Sequence, residues 1–97
     1  PEETWFGLDV VDLADPAARQ LEIRVDHGAL IIGVERGSAG DRAGLEAGDI
    51  VVRIGNTDIE DVKEYREAMA KYEGVEKALA LMVQRGAHTY FVAVKPG

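Results

Sequence analysis

The chain has 97 residues, of which 46% are hydrophobic and 30% are charged, so it can build one core and is too short for two ordinary domains. Its net charge of −7 argues against nucleic acid as a partner, and it lacks the run of about eighteen apolar residues that membrane insertion requires. The absence of Cys excludes disulfides, thiolate nucleophiles and Cys-based zinc sites.

The first third of the chain contains three strand patterns and one helical turn. Residues 5–13 are largely apolar with one break in phase, which predicts a strand with an irregularity near its end. An Asp-Pro pair at 15–16 is typical of a helix start and predicts a short helical turn over 16–21. Residues 21–25 alternate between apolar and charged, which predicts a half-buried strand, whereas 29–34 should form a central strand because it is apolar on both faces.

A short helix and a further strand are predicted in the middle of the chain. Ser38 can cap a helix that reaches Ala43, and Gly44 can end it. Residues 50–54 then carry the apolar side chains of a strand that is closed by Gly55.

The last part of the sequence predicts one long helix followed by a hairpin. Asp61 is a candidate helix cap, and apolar residues at helical spacing follow it on one stripe: Val62, Tyr65, Met69 and Tyr72. Residues 78–83 and 89–94 are separated by a Gly-containing turn, which is typical of a β-hairpin. In total, the sequence predicts about six strands, one long helix and two short ones.

The most specific motif lies between residues 37 and 51 and reads GSAGDRAGLEAGDIV. In this stretch Ser38 caps a short helix, Leu45 fills the core, and Gly48 supplies a turn that can require positive φ. Asp49 can then bond the turn before the next strand begins. These roles are structural, and none of them requires contact with a ligand. The motif closely resembles the signature of PDZ domains.

The resemblance extends over the whole chain, from an X-Φ-Gly-Φ loop at 5–8 to the terminal helix and hairpin. The order of the strands is similar to that of the circularly permuted bacterial type, and the chain looks like PDZ domains of the HtrA/Do family of envelope serine proteases, the second more than the first. The implied fold is mainly β with two to three helices: a five- to six-stranded, partly open β-barrel or sandwich, capped by one long helix and one or two short ones. Because the chain begins with Pro1 and has no Met near its start, we expect one PDZ domain over 1–97, excised from a longer protein.

A PDZ-like domain implies binding of C-terminal or exposed extended segments by addition of a strand to a sheet edge. The resemblance assigns the terminal carboxylate to amides of the loop Trp5, Phe6, Gly7 and Leu8, and the pairing strand to Asp9, Val10 and Val11. Helix residues assigned to the groove are Val62, Tyr65, Arg66 and Met69. Two alternatives stay open at this stage: Tyr65 and Met69 can be plain core, and Trp5 can pack beneath the loop.

Two further expectations concern the loop. Gly7 can adopt the unusual φ that aims neighbouring amides at one point, so Gly7→Val should abolish peptide binding while leaving the thermal midpoint near that of the wild type. The loop also departs from the common pattern, because Glu2, Glu3 and Thr4 stand where a Lys or Arg often helps to hold the carboxylate.

The implied function is that of a substrate-tethering or regulatory domain in an HtrA/Do-like serine protease of the bacterial periplasm or cell envelope. The alternative is a non-proteolytic interaction module of a secretion or membrane-protease system. Expected partners are unfolded or misfolded proteins whose last residue is apolar, and the parent protein is expected to be a homo-oligomer. For this chain we expect no catalytic residue, because Ser38 lacks a nucleophile motif. We also expect no metal site, because neither His27 nor His88 has further ligands at the required spacing. No cofactor, nucleic-acid partner or membrane insertion is expected either.

Overall fold

The structure is a computed structural model that describes residues 7–19, 21, 23, 25–72 and 77–95. Within these residues the chain forms six strands, two α-helices and one 3-10 turn. In chain order they are β1 Leu8–Asp12, the 3-10 turn Pro16–Ala18, β2 Ala29–Val34, α1 Ala39–Ala43, β3 Ile50–Ile54, β4 Thr57–Asp58, α2 Val62–Tyr72, β5 Leu79–Arg85 and β6 His88–Val94.

The six strands form one antiparallel sheet in the order β1-β2-β3-β5-β6, with β4 paired to β3 away from this path. The predicted mainly β fold with one long and one short α-helix is confirmed. Strand β2 lies between β1 and β3, in agreement with the central position that its two apolar faces predict. Strands β1 and β6 are left as the two edges of the path, and the site described below lies along the first of them.

Alternating residues of the central strands feed two hydrophobic clusters on opposite faces of the sheet. Leu30 belongs to a small cluster with Ile50, whereas its neighbour Ile31 belongs to the main core with Val51. The period of two residues in a strand explains this division, since successive side chains point to opposite faces. Both α-helices contribute to the main core, whereas Ala18 of the 3-10 turn covers the small cluster.

Two details of strand placement differ from the sequence-based expectation. The strand predicted over 21–25 is wrong, because its described residues Leu21, Ile23 and Val25 lie outside the strands. Ile23 and Val25 pack against the small cluster through their side chains, so their apolar periodicity reflects packing onto the sheet rather than pairing within it. The sixth strand is instead β4, a two-residue extension that turns back on β3 after Gly55, which has φ +59°.

The loop around α1 has the conformation that its sequence predicts. The Ser38 Oγ accepts a hydrogen bond from the Asp41 N–H at 3.2 Å, and Gly44 ends the helix in the left-handed region at φ +93°. Gly48 also has positive φ, at +102°, and the Asp49 Oδ2 accepts from the Glu46 N–H at 3.0 Å.

Asp49 also makes a contact that no local pattern indicates. Its side chain is 1% exposed and receives two hydrogen bonds from Arg85, 2.7 Å from Nε to Oδ1 and 2.8 Å from a terminal guanidinium nitrogen to Oδ2. The same guanidinium donates to the Gly44 carbonyl at 3.1 Å. This charge-assisted pair raises the pKa of Arg85 and ties the end of β5 to the loop that follows α1.

Candidate functional site

Strand β1 is an edge strand, because among the described residues it pairs only with β2. Leu8 lies opposite Val34, and Val10 lies opposite Ile31, with a register shift between Asp9 and Val10. The irregularity predicted for this strand is therefore present, although it falls near the start of the strand rather than near its end. Strand β1 contacts α2, and no strand among the described residues pairs with its other edge, so backbone groups there are available for another strand.

The end of β1 is fixed to the start of α2 by one side chain. The Asp12 Oδ1 accepts a hydrogen bond from the backbone N–H of Val62 at 2.8 Å, across 50 positions of sequence. This N–H is one of those that an α-helix cannot satisfy within itself, so Asp12 acts as a cap from a distant strand. The Asp61 side chain, predicted as the cap, accepts from Glu64 N–H at 2.9 Å, and the two carboxylates together hold the first turn.

Gly7 stands immediately before β1 in a conformation that favours glycine. Its φ is +78°, it is buried, and its carbonyl accepts from the Glu35 N–H at 2.8 Å. A Cβ on Gly7 would lie 2.3 Å from the Ser38 Cβ and 2.6 Å from the Ser38 Oγ. The packing around Gly7 thus contradicts the expectation that Gly7→Val would leave the thermal midpoint near wild type. Of the other predicted loop residues, Leu8 is the buried first residue of β1, whereas Trp5 and Phe6 lie outside the described part of the chain.

Most of the predicted groove residues of α2 lie in the core. Tyr65 is 0% exposed, Met69 is 3% exposed, and both share the main core cluster with Leu8 and Val62. This burial is what the core alternative for Tyr65 and Met69 predicts, and a role for them in contacting a ligand stays a prediction. Arg66 is exposed.

The two flanks of α2 differ in what they face. Glu64, Glu67 and Lys71 border an open cleft of about 240 Å³ together with the side of β4. At 100° per residue these positions lie on one flank of the helix, whereas Val62 and Arg66 lie on the other. The Val62 N–H in the first turn of α2 is bonded to Asp12 at the end of β1, so the start of the helix lies next to this strand. A contact between Arg66 and a chain that pairs with β1 stays a prediction.

Sequence reasoning missed two members of this site. Asp12 was not among the predicted residues, and nothing in the sequence relates an Asp at 12 to a helix that begins 50 positions later. Ser38 was predicted only as a helix cap, whereas it also limits the space beside Gly7. Both contacts depend on the tertiary fold, so an inspection of local patterns has no signal for them.

Within the described ranges, no group of three or more His, Cys, Asp or Glu side chains could hold a metal ion. No helix found there is long and apolar enough to cross a membrane. The His27 Nδ1–H donates to the Oδ1 of the adjacent Asp26 at 2.9 Å, and this hydrogen bond raises the pKa of His27 and lowers the pKa of Asp26. This pair is on the surface, in the turn before β2.

Comparison with known proteins identifies the family. The model of the PDZ domain matches residues 30–82, which is more than half of the chain. The chain belongs to the PDZ domain family. The PDZ domain of HtrA3, in a crystal structure with a phage-derived ligand (FGRWV), superimposes with a TM-score of 0.77 at 24% identity and covers 97% of this chain and 85% of that one. Its similarity supports the same fold.

Two curated relatives of this PDZ domain are named as serine proteases. The putative serine protease HhoB of Synechocystis is 30% identical over 104 residues, covering 99% of this chain and 25% of the relative. A probable periplasmic serine endoprotease, DegP-like, of Hahella chejuensis is 28% identical over 82 residues, covering 84% of this chain and 18% of the relative. The PDZ domain thus spans a quarter or less of the length of these relatives.

Proposed function

We propose that this PDZ domain binds C-terminal or exposed extended polypeptide segments by strand addition to β1, and that an apolar last residue is preferred. The observation that carries the proposal is the edge of β1 with which no described strand pairs, on a strand that contacts α2 and follows a glycine at φ +78°. An added strand would bond to the backbone of Asp9, Val10 and Val11, and its alternate side chains would meet the flank of α2.

The terminal carboxylate is assigned to the amides of Phe6, Gly7 and Leu8. The net charge of −7 cannot attract an anion to the molecule as a whole, so local N–H dipoles have to supply the attraction. The left-handed φ of Gly7 supports this assignment, because such a turn can direct successive N–H groups towards one point. Trp5 would support the loop from below.

The expected affinity is weak. A few backbone hydrogen bonds contribute roughly 1 kcal/mol each, and one apolar anchor contributes about 2 to 3 kcal/mol. The entropy lost on association offsets much of this sum, so the dissociation constant should be on the order of micromolar. Such an affinity suits a domain that samples many exposed chain ends rather than one permanent partner.

The protein that contains this domain is proposed to be an HtrA/Do-like serine protease of the bacterial periplasm or cell envelope, in which the domain tethers substrates or regulates proteolysis. The names of the relatives favour this role over a non-proteolytic interaction module. Unfolded or misfolded proteins would be the partners, and the parent would be a homo-oligomer in which several PDZ domains act on one substrate.

A pair of matched peptides tests the proposal. One pentapeptide ends in valine with a free carboxylate, and its twin is identical except for a C-terminal amide. Titration of the isotopically labelled domain, followed by NMR, should shift the amides of residues 7–11 with the free acid and should give at least tenfold weaker binding with the amide. Equal binding of the twins would remove the carboxylate from the mechanism, and shifts that avoid β1 would refute strand addition there.

The flank of α2 can be tested in the same titration. If the pentapeptide carries a glutamate upstream of its last residue, Arg66→Ala should weaken its binding, because Arg66 is proposed to line the groove beside β1. Lys71→Ala is the matched control, since Lys71 is also exposed and cationic but borders the cleft on the β4 side. Equal effects of the two substitutions would indicate a general charge effect instead of a contact in the groove.

A further inference from the structure

Strand β6 forms the other edge of the sheet, opposite the proposed peptide site. It pairs with β5 through seven consecutive residues without a register shift, from Arg85 opposite His88 to Leu79 opposite Val94. In the part of the chain that the structure describes, no strand pairs with its outer side. A row of backbone donors and acceptors is therefore left without strand partners along β6.

The hairpin turn identifies which residues direct these groups outward. Gly86 and Ala87 form a two-residue turn, in which only Gly86 has positive φ, at +60°, as in a type II′ turn. In such a hairpin the flanking pair Arg85 and His88 is hydrogen-bonded, and bonded and non-bonded pairs then alternate along the strands. The residues that direct their N–H and C=O groups away from β5 are thus Thr89, Phe91 and Ala93.

The exposed edge of β6 lacks the features that usually prevent pairing with another chain. Residues 88–94 contain no Asp, Glu, Lys, Arg or Pro, and the strand has no bulge. The side chain of Phe91 is 74% exposed and that of Tyr90 is 44% exposed. The inner face is closed at the end of the strand, because Val94 is buried in the main core and α1 packs against β6. The outer edge and the Phe91 face are open, and Tyr90 is partly exposed on the inner face.

Residues 77–97 carry the opposite charge to the molecule as a whole. All 18 acidic residues lie within residues 1–76, and residues 77–97 contain Lys77, Arg85 and Lys95 but no acidic side chain. Arg85 is already paired with the buried carboxylate of Asp49. The exposed cations Lys77 and Lys95 lie just outside the ends of β5 and β6 where Leu79 pairs with Val94, far from the turn. One end of the open edge thus has two exposed lysines and no carboxylate side chain from its own hairpin, with Glu76 adjoining Lys77 in sequence.

We propose that the outer edge of β6 is a second strand-addition site, which takes an extended segment of another protein with carboxylates at its N-terminal end followed by alternating apolar residues. Every pairing in the sheet is antiparallel, so we expect the added strand to run antiparallel to β6. Its N-terminal end then lies beside Lys77 and Lys95, which attract its carboxylates. The apolar residues that follow cover Phe91.

Charge disfavours two other occupants of this edge. A second copy paired antiparallel on β6 would place Lys95 near His88 of its partner and would bring together two chains of net charge −7. Residues 1–76 carry all 18 acidic residues and eight of the 11 basic ones, an excess of ten acidic side chains. An anionic membrane would attract Lys77 and Lys95, but this acidic excess would repel it. A segment with only a few carboxylates avoids both penalties.

A capped peptide tests the site without involving the carboxylate loop. The probe is acetylated, begins with two glutamates, continues with alternating threonine and valine for five residues, and ends in an amide. NMR titration should shift and protect the amides of Thr89, Phe91 and Ala93 and leave those of β1 unchanged. A second probe with two lysines in place of the glutamates should bind at least tenfold more weakly, and this comparison requires no change to the protein.

Ala93→Pro tests the backbone contact directly. The N–H of Ala93 points away from β5, so proline removes a donor for the added strand without removing a bond of the hairpin. Binding should fall at least tenfold, and an unchanged thermal midpoint shows that the hairpin is intact.

Shifts confined to β1, equal binding of the glutamate and lysine probes, or no binding at 1 mM peptide would each overturn the proposal. So would a dimer in sedimentation that Ala93→Pro dissociates, or binding to phosphatidylglycerol vesicles in place of the peptide.

Discussion

Replacement of Gly7 by alanine should destabilise the fold for two reasons, which are backbone strain at positive φ and overpacking against Ser38. At φ +78° any L side chain costs about 1 to 2 kcal/mol relative to glycine. The added Cβ would also lie 2.3 Å from the Ser38 Cβ, which forces a local shift and adds about 1 to 3 kcal/mol of overpacking. Gly37 is a matched control, because its φ is +80° and a Cβ there would meet nothing within 4 Å.

Urea unfolding of the two alanine variants measures the difference. Gly37→Ala should lower the free energy of unfolding by about 1 to 2 kcal/mol, and Gly7→Ala should lower it by about 2 to 5 kcal/mol. In a Ser38→Gly background, which removes the obstructing atoms at a helix-cap cost of a few tenths of a kcal/mol, the cost of Gly7→Ala should fall to that of Gly37→Ala. Equal costs for the two single variants would refute the close contact between Gly7 and Ser38.

Three further perturbations test contacts that position the site and the sheet. Asp12→Ala should destabilise the fold by about 1 kcal/mol in urea unfolding, because the first N–H of α2 loses its cap. Arg85→Ala should cost about 3 kcal/mol, since it leaves the buried Asp49 without its counter-charge, and a cost below 0.5 kcal/mol would contradict the pairing. The pKa of His27 is raised in the folded state, so its contribution to stability is present below pH 6.5 and is lost as the pH rises through the folded-state pKa. The pKa of Asp26 is lowered, so the contribution of Asp26 to stability is fully present only above about pH 3.8. The thermal midpoint of His27→Gln should therefore fall furthest below wild type between about pH 4 and 6.5 and should converge with it near pH 8.

The segment between residues 37 and 51 was predictable from sequence because its conformation is determined locally. A hydroxyl cap at Ser38, a left-handed Gly44 and a turn at Gly48 are each specified by one residue and its immediate neighbours. The hairpin of β5 and β6 was equally accessible, since a glycine in a two-residue turn favours one register.

The segment 21–25 and strand β4 show where the same reasoning fails. Alternation of apolar residues at 21–25 indicates one face against an apolar surface, and a packed coil satisfies this condition as well as a strand does. Thr57–Asp58 is too short to show any period. Whether a segment pairs with a sheet depends on which edge is vacant, and this is a property of the tertiary fold.

The candidate site follows the same division between local and tertiary information. The position of the loop and of the pairing strand could be proposed from the Gly7 motif, but the assignment of helix residues could not, because one apolar stripe serves both the core and the groove. The structure separates these residues by exposure: Tyr65 is fully buried, whereas Arg66 is exposed.

This separation has a consequence for selectivity. A buried Tyr65 can contact a ligand only after the core beside Leu8 has opened, which would cost part of the free energy of association. Arg66 is exposed on the surface of α2, so substitution of Arg66 should change selectivity for charge with a smaller loss of stability than substitution of Tyr65. Substitution of Tyr65 by alanine should instead lower stability by about 3 to 5 kcal/mol, whatever its effect on binding.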